Sequence, residues 1–92
     1  MGNRSRTEIV SQVLEAANGG ATKTKIMYRA LLSYKQMKEY VNLLTEKGML
    51  VYDPARSTFK TTEKGHRFLQ IYDHLDQILK EQLTSASSSE HY

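Results

Sequence analysis

Apolar residues recur at helical spacing in four stretches of this chain and alternate with polar ones in two more. Ile9, Val10, Val13, Leu14 and Ala17 share one face, which predicts a first helix with a single buried stripe. Ser5 and Glu8 have capping-box spacing, so each side chain can take up an amide of the first turn. Asn18-Gly19-Gly20 ends that helix, because glycine accepts the left-handed backbone that follows a helix. Residues 21–30, ATKTKIMYRA, read as a short second helix with Thr22 as its N-cap and Ile26, Met27 and Ala30 inward. Leu31-Leu32 reads as a buried tight turn.

A third helix begins at Ser33, where Ser33 and Gln36 repeat the capping-box spacing. Met37, Tyr40, Val41 and Leu44 form its inward stripe, while Lys35, Lys38, Glu39, Asn42 and Thr45 lie outward, and Gly48 stops it. Met49–Asp53 then alternates in the manner of a strand. Asp53-Pro54-Ala55-Arg56-Ser57 is turn chemistry, and Thr58–Thr61 returns as a second strand with Phe59 inward. Thr62 caps a last helix that is expected to run to about Leu83. The polar tail from residue 85 to 92 is expected to be disordered.

Thr-Glu-Lys-Gly occurs at 45–48 and again at 62–65. The flanking sequences do not match, so this is not an internal repeat: the first copy closes a helix and the second opens one. A glycine in the first turns of a helix costs about 1 kcal/mol against alanine. Gly65 is therefore expected where two backbones approach closely.

The stretch 33–65 thus reads as a capped helix, a glycine stop, a hairpin with a basic tip and the start of another helix. With the second helix before it, that order is a mostly α (α+β) winged helix-turn-helix carrying a two-strand wing and an extended C-terminal helix. Residues 4–68 form the winged domain, 69–84 a helical arm and 85–92 the tail. DNA readers of this kind brace one helix across the groove and place the next with its N-terminal half near base edges. The exposed candidates there are Tyr34, Lys35, Gln36, Lys38 and Asn42; Gln and Asn suit adenine, Lys suits guanine or phosphate. Lys23, Lys25 and Arg29 on the second helix, with Arg56 and Lys60 on the hairpin, are candidates for the phosphate backbone. Taken singly, the charged face of the third helix and the hairpin tip would also suit plain solvent exposure. Their conjunction favours DNA.

On the last helix Phe68, Tyr72, Leu75, Leu79 and Gln82 follow heptad spacing, with Ile71 and Ile78 beside them. A domain of this kind needs only the first turns of that helix for its core. The rest of the stripe either folds back on the first helix or pairs with a second copy, and pairing is the favoured expectation. The dimer positions are Tyr72, Leu75, Ile78, Leu79 and Gln82.

Charge sharpens this picture. The 92 residues carry a net charge of +3, unevenly placed. Residues 1–72 hold twelve Lys/Arg against six Asp/Glu, and residues 73–92 one Lys against four Asp/Glu. A basic body followed by an acidic end suits a polyanion partner. There is no cysteine, which removes thiolate chemistry and Cys-based zinc sites. No apolar run suggests a membrane span, and MGNRSRTE lacks the apolar centre of a signal peptide; a cytoplasmic, nucleoid-associated protein is expected. His66, His74 and His91 have no metal-ligand spacing, and no nucleophile–base arrangement or phosphate-binding glycine loop is present. No enzyme, cofactor or small-molecule ligand is expected.

The run TKTKIMYRALLSYKQMKEYVNLLTEKGML, then FKTTEKGHRFL, with the opening SRTEIVSQVLEAANGG, resembles a family of small basic winged-helix DNA-binding proteins of archaea. That family includes chromosomal proteins of thermophilic archaea. The resemblance covers about residues 4–83, and its most specific part is K-T-x-I-M-Y followed by L-S-Y and E-K-G. It implies a C-terminal helix that pairs with a second copy as an antiparallel coiled coil, holding two DNA-reading units apart. With an end near Leu83 the helix from residue 66 to 83 would be about 27 Å long, short for such a dimer. The implied function is double-stranded DNA binding as a homodimer, as a transcription regulator or as a chromatin or architectural protein. The alternative is a winged-helix module that docks other proteins without touching DNA.

Overall fold

The computed structural model describes residues 4–89, with side chains described through Glu81. The order is α1 (Arg6–Ala16), α2 (Lys23–Arg29), α3 (Tyr34–Glu46), β1 (Leu50–Asp53), β2 (Thr58–Thr61) and α4 (Glu63–Ser89). Each of the first three helices opens on the expected cap. Ser5 accepts from the Glu8 amide at 3.0 Å and Thr22 from the Lys25 amide at 3.2 Å. At Ser33 the box closes both ways: Ser33 Oγ accepts from the Gln36 amide and Gln36 Oε1 from the Ser33 amide, each at 3.1 Å. Such a cap is worth about 1 kcal/mol.

The core is the meeting place of the predicted stripes. Val13, Leu14, Ile26, Met37, Val41 and Leu44 are its largest fully buried side chains, joined by Leu32, Leu50, Phe59 and Leu69. Val10, Met27 and Tyr40 pack against it only partly buried. The two strands pair antiparallel, Leu50 opposite Thr61 and Tyr52 opposite Phe59. Buried Thr61 donates its hydroxyl to the Leu14 carbonyl at 2.6 Å, tying the ribbon to α1.

The second Thr-Glu-Lys-Gly closes the end of the first. Thr62 Oγ1 donates to the Gly48 carbonyl at 2.6 Å, Lys64 Nζ to the Lys47 carbonyl at 2.7 Å, and the Thr62 amide to the Met49 carbonyl at 2.9 Å. Carbonyls left over at the end of α3 are thus satisfied by the start of α4. Gly65 sits at that junction, and a Cβ there would lie 2.6 Å from the Met49 carbonyl oxygen. The expected close approach is present.

Three expectations need correction. Ala21 is not helical: it exchanges two backbone hydrogen bonds of 2.8 Å with Phe59, extending the ribbon by one bridge, and α2 begins at Lys23. Leu32 is buried, but Leu31 is 79% exposed and has a φ of +55°. And α4 does not stop near Leu83. It continues to Ser89, 27 residues in all, about 40 Å at 1.5 Å per residue. Residues 85–89 of the expected disordered tail are therefore helical, because no glycine or proline in that stretch breaks the helix; residues 90–92 lie outside the described part.

Candidate nucleic-acid interface

Helix α2 packs against α3, with Ile26 and Met37 both buried in the core, leaving one side of the first two turns of α3 facing outward. Tyr34, Lys35, Gln36 and Lys38 are all exposed there, and no acidic residue lies in the first turn. Lys38 Nζ sits 5.7 Å from the centre of the Tyr34 ring, a cation–π distance. The capping box changes what Gln36 can do. Reading adenine takes both amide atoms, and the oxygen of Gln36 is held by the Ser33 amide. Only its NH2 group remains to donate.

Asn42, one turn further along, lines an open cleft with Lys23, Thr45, Glu46, Tyr52 and Phe59, of about 730 Å³. The start of α2, the middle of α3 and the ribbon thus meet around Lys23 and Asn42. Tyr52 was not foreseen as a site residue; its parity with buried Leu50 and Phe59 was the available signal. Its ring lies 4.8 Å from that of Phe59. Glu46 is the one carboxylate in this cleft.

The other basic candidates are spread around this centre. Lys25 is exposed at the start of α2. Arg29 is turned the other way: its guanidinium donates to the Ala16 carbonyl of α1 at 3.4 Å. Arg56 lies at the tip of the ribbon, where the Ala55 amide donates to Asp53 Oδ1 at 3.0 Å and Ser57 takes a φ of +52°. Lys60 pairs with Val51, so both occupy the ribbon face opposite Tyr52 and Phe59.

Arg4 also proves structural. Its guanidinium donates to the Ala30 carbonyl at 2.6 Å, to the Leu31 carbonyl at 2.8 Å and to the Gln12 side chain. It clamps the turn between α2 and α3. Nothing in local periodicity signals a bond across so many residues.

The model of the winged helix-turn-helix family matches residues 3–80. The chain belongs to the winged helix-turn-helix family. Helices α2 and α3 are its helix-turn-helix and the β1–β2 ribbon is its wing. Among solved structures the chain is similar to Sso10a-2, a DNA-binding protein from Sulfolobus solfataricus. The identity is 24%, with 94% of this chain and 92% of that chain covered at a TM-score of 0.79; at that identity the likeness establishes the shared fold. No curated protein sequence matches significantly.

Beyond the winged domain, α4 carries no buried side chain from Gln70 to Glu81. Ile71, Leu75, Ile78 and Leu79 are exposed, with Leu75 at 56% and Leu79 at 61%. They do not fold back on α1. Tyr72 is half-buried and stacks on Phe68, ring centres 6.4 Å apart; Gln82 lies beyond the last described side chain. Ile71, 62% exposed, belongs to this apolar face and does not merely flank it. Among the described residues no group of acidic or histidine side chains is placed to hold a metal, and no helix is long and apolar enough to cross a membrane.

Proposed function

We infer that the protein binds double-stranded DNA as a homodimer, with α3 in the major groove. The observation that carries this is the outer side of the first half of α3, where Tyr34, Lys35 and Lys38 face solvent with no acidic residue in the first turn, on a helix braced by α2. Lys35 and Lys38 reach bases and phosphates, and Asn42, exposed where it lines the open cleft, is the adenine reader. Gln36 contributes a donor only. Lys23, Lys25, Arg56 and Lys60 hold the phosphate backbone on either side, and Arg29 joins them on release from Ala16. The similarity to Sso10a-2, itself a DNA-binding protein, supports the same reading.

The apolar face of α4 supports the dimer. Four exposed large aliphatic side chains on an arm that runs about 30 Å from residue 70 to residue 89 form a surface whose exposure to water is unfavourable. Pairing of two such arms covers Ile71, Leu75, Ile78 and Leu79, with Tyr72 and Gln82 flanking. The length restores what an end near Leu83 would have taken from a coiled-coil arm. Two reading units held apart on one rod suit both a chromatin or architectural protein in the nucleoid and a regulator of paired sites.

The test is retention on random-sequence duplex DNA at low salt, followed by a salt step. Binding released by salt is expected, since phosphate neutralisation dominates such affinity. Failure to bind at low salt would sink the reading and favour a protein-docking module. Selection from the same pool separates the roles: an enriched motif indicates a regulator, uniform retention an architectural protein.

A further inference from the structure

Leu31 goes against ordinary preference in both backbone and side chain. The ends of α2 and α3 are built alike. After α2, the Leu32 amide donates to the Met27 carbonyl at 3.0 Å and the Leu31 amide to Tyr28 at 3.3 Å. After α3, the Met49 amide donates to Leu44 at 2.8 Å and the Gly48 amide to Thr45 at 3.1 Å. This motif needs a left-handed residue at its centre, which glycine supplies without cost. Gly48 fills that position with a φ of +78°; Leu31 fills the same position with a φ of +55°. A Cβ-bearing residue is disfavoured there. Nor does packing explain the leucine, which is 79% exposed.

Backbone strain persists where the surroundings over-determine it, and it gathers at functional positions. Arg4 supplies the support here, holding the carbonyls of Ala30 and Leu31 at 2.6 and 2.8 Å. The side chain so presented lies two residues ahead of the α3 N-cap and three ahead of Tyr34, itself 60% exposed. The exposed residues that follow are Lys35, Gln36, Lys38 and Glu39, with Lys38 resting on the Tyr34 ring and both lysines nearer the tip than the carboxylate in sequence. An apolar tip with a cationic border suits a polyanion whose bases offer apolar groups. In the DNA major groove that group is the thymine C5-methyl. A protein partner would find the same border of lysines without a reason for it.

We propose that Leu31, with Tyr34 beside it, is an apolar reading tip that seats against thymine methyl groups in the major groove. The assignment rests on the DNA-binding reading above, and it makes the turn, as well as α3, a source of sequence preference. The test uses the full chain and two duplexes of one AT-rich sequence, one with every thymine replaced by uracil, followed by fluorescence anisotropy. The wild type is expected to bind the uracil duplex about four-fold more weakly per methyl contacted. Leu31→Gly is expected to bind both duplexes equally, with its salt dependence kept and its thermal midpoint no lower than the wild type. Leu31→Asn, which also tolerates the left-handed backbone, is a second variant with the same expected equality. Equal wild-type affinity for the two salt-released duplexes overturns the tip and leaves the DNA reading standing. Discrimination that survives in both variants also overturns it. Absence of salt-released binding to either duplex removes both readings.

Discussion

Gly65 lies against the carbonyl of Met49 so closely that a Cβ at residue 65 would stand 2.6 Å from that oxygen and 2.6 Å from Thr61 Cγ2. The contact joins the start of α4 to the residue that leads from α3 into β1 and to β2. Gly65→Ala therefore sets a helix-propensity gain of about 1 kcal/mol against a clash with backbone that cannot rotate away. Overpacking of this kind costs about 1–3 kcal/mol. The expected result is a fall in thermal midpoint of about 4–8 °C for each net kcal/mol lost. An unchanged or raised midpoint would mean that α4 can slide off β1 at no cost.

Arg4 donates to the Leu31 carbonyl at 2.8 Å, and the two residues are expected to be coupled in stability. Arg4→Ala removes charge-assisted bonds to two turn carbonyls, and the part-exposed setting limits the loss to about 1–2 kcal/mol. Arg4→Lys keeps the charge and loses the planar fork, so it is expected to recover little of that. In a Leu31→Gly background the turn holds without help, and the Arg4→Ala penalty is expected to shrink. Chemical denaturation of the four proteins of the cycle measures the coupling; strictly additive effects would show that Arg4 does not support the left-handed turn.

Charge reversal on the apolar face of α4 tests the arm. Leu75→Asp with Leu79→Asp leaves the core untouched, because both side chains are exposed. The double variant is expected to be a folded monomer by light scattering and circular dichroism. A wild type that is already monomeric at the same concentration would remove the coiled-coil reading.

Glu46 is a carboxylate in the cleft that holds Lys23 and Asn42. Like charge repels phosphate there, so Glu46→Gln is expected to strengthen binding to random duplex DNA about two- to five-fold at low salt. Filter binding reads this directly. No change would place the phosphate backbone away from this cleft.

Much of the fold was legible because its signals are local. Caps at Ser5, Thr22 and Ser33, the stop at Gly48 and the inward stripes depend on residues a few positions apart. The departures have a common physical origin in contacts at long range or in missing punctuation. Leu31 carries no left-handed signature, and its conformation is imposed by the Met27 and Arg4 bonds. Ala21 has the high helix propensity of alanine and is drawn into the ribbon by Phe59. The end of α4 had no breaker to mark it. In the site, the exposed side chains of α3 could be read from helical phase. The commitment of the Gln36 oxygen to the Ser33 amide follows from the capping-box spacing, whereas the turning of Arg29 toward Ala16 could not be read, since it depends on a bond between helices made on folding. Tyr52 shows the intermediate case, visible by strand parity yet placed in the cleft only by the packing of the wing on α3.

The central claim is that α3 lies in the DNA. It is tested most directly by the salt dependence of affinity for one duplex, compared between the wild type and Lys35→Ala with Lys38→Ala. Both lysines are exposed, so the double variant is expected to keep the wild-type thermal midpoint. If each neutralises one phosphate, the slope of log affinity against log salt becomes shallower by about 1.8 per subunit, with a large loss of affinity at low salt. An unchanged slope and affinity in the folded double variant would contradict the account and take α3 out of the interface.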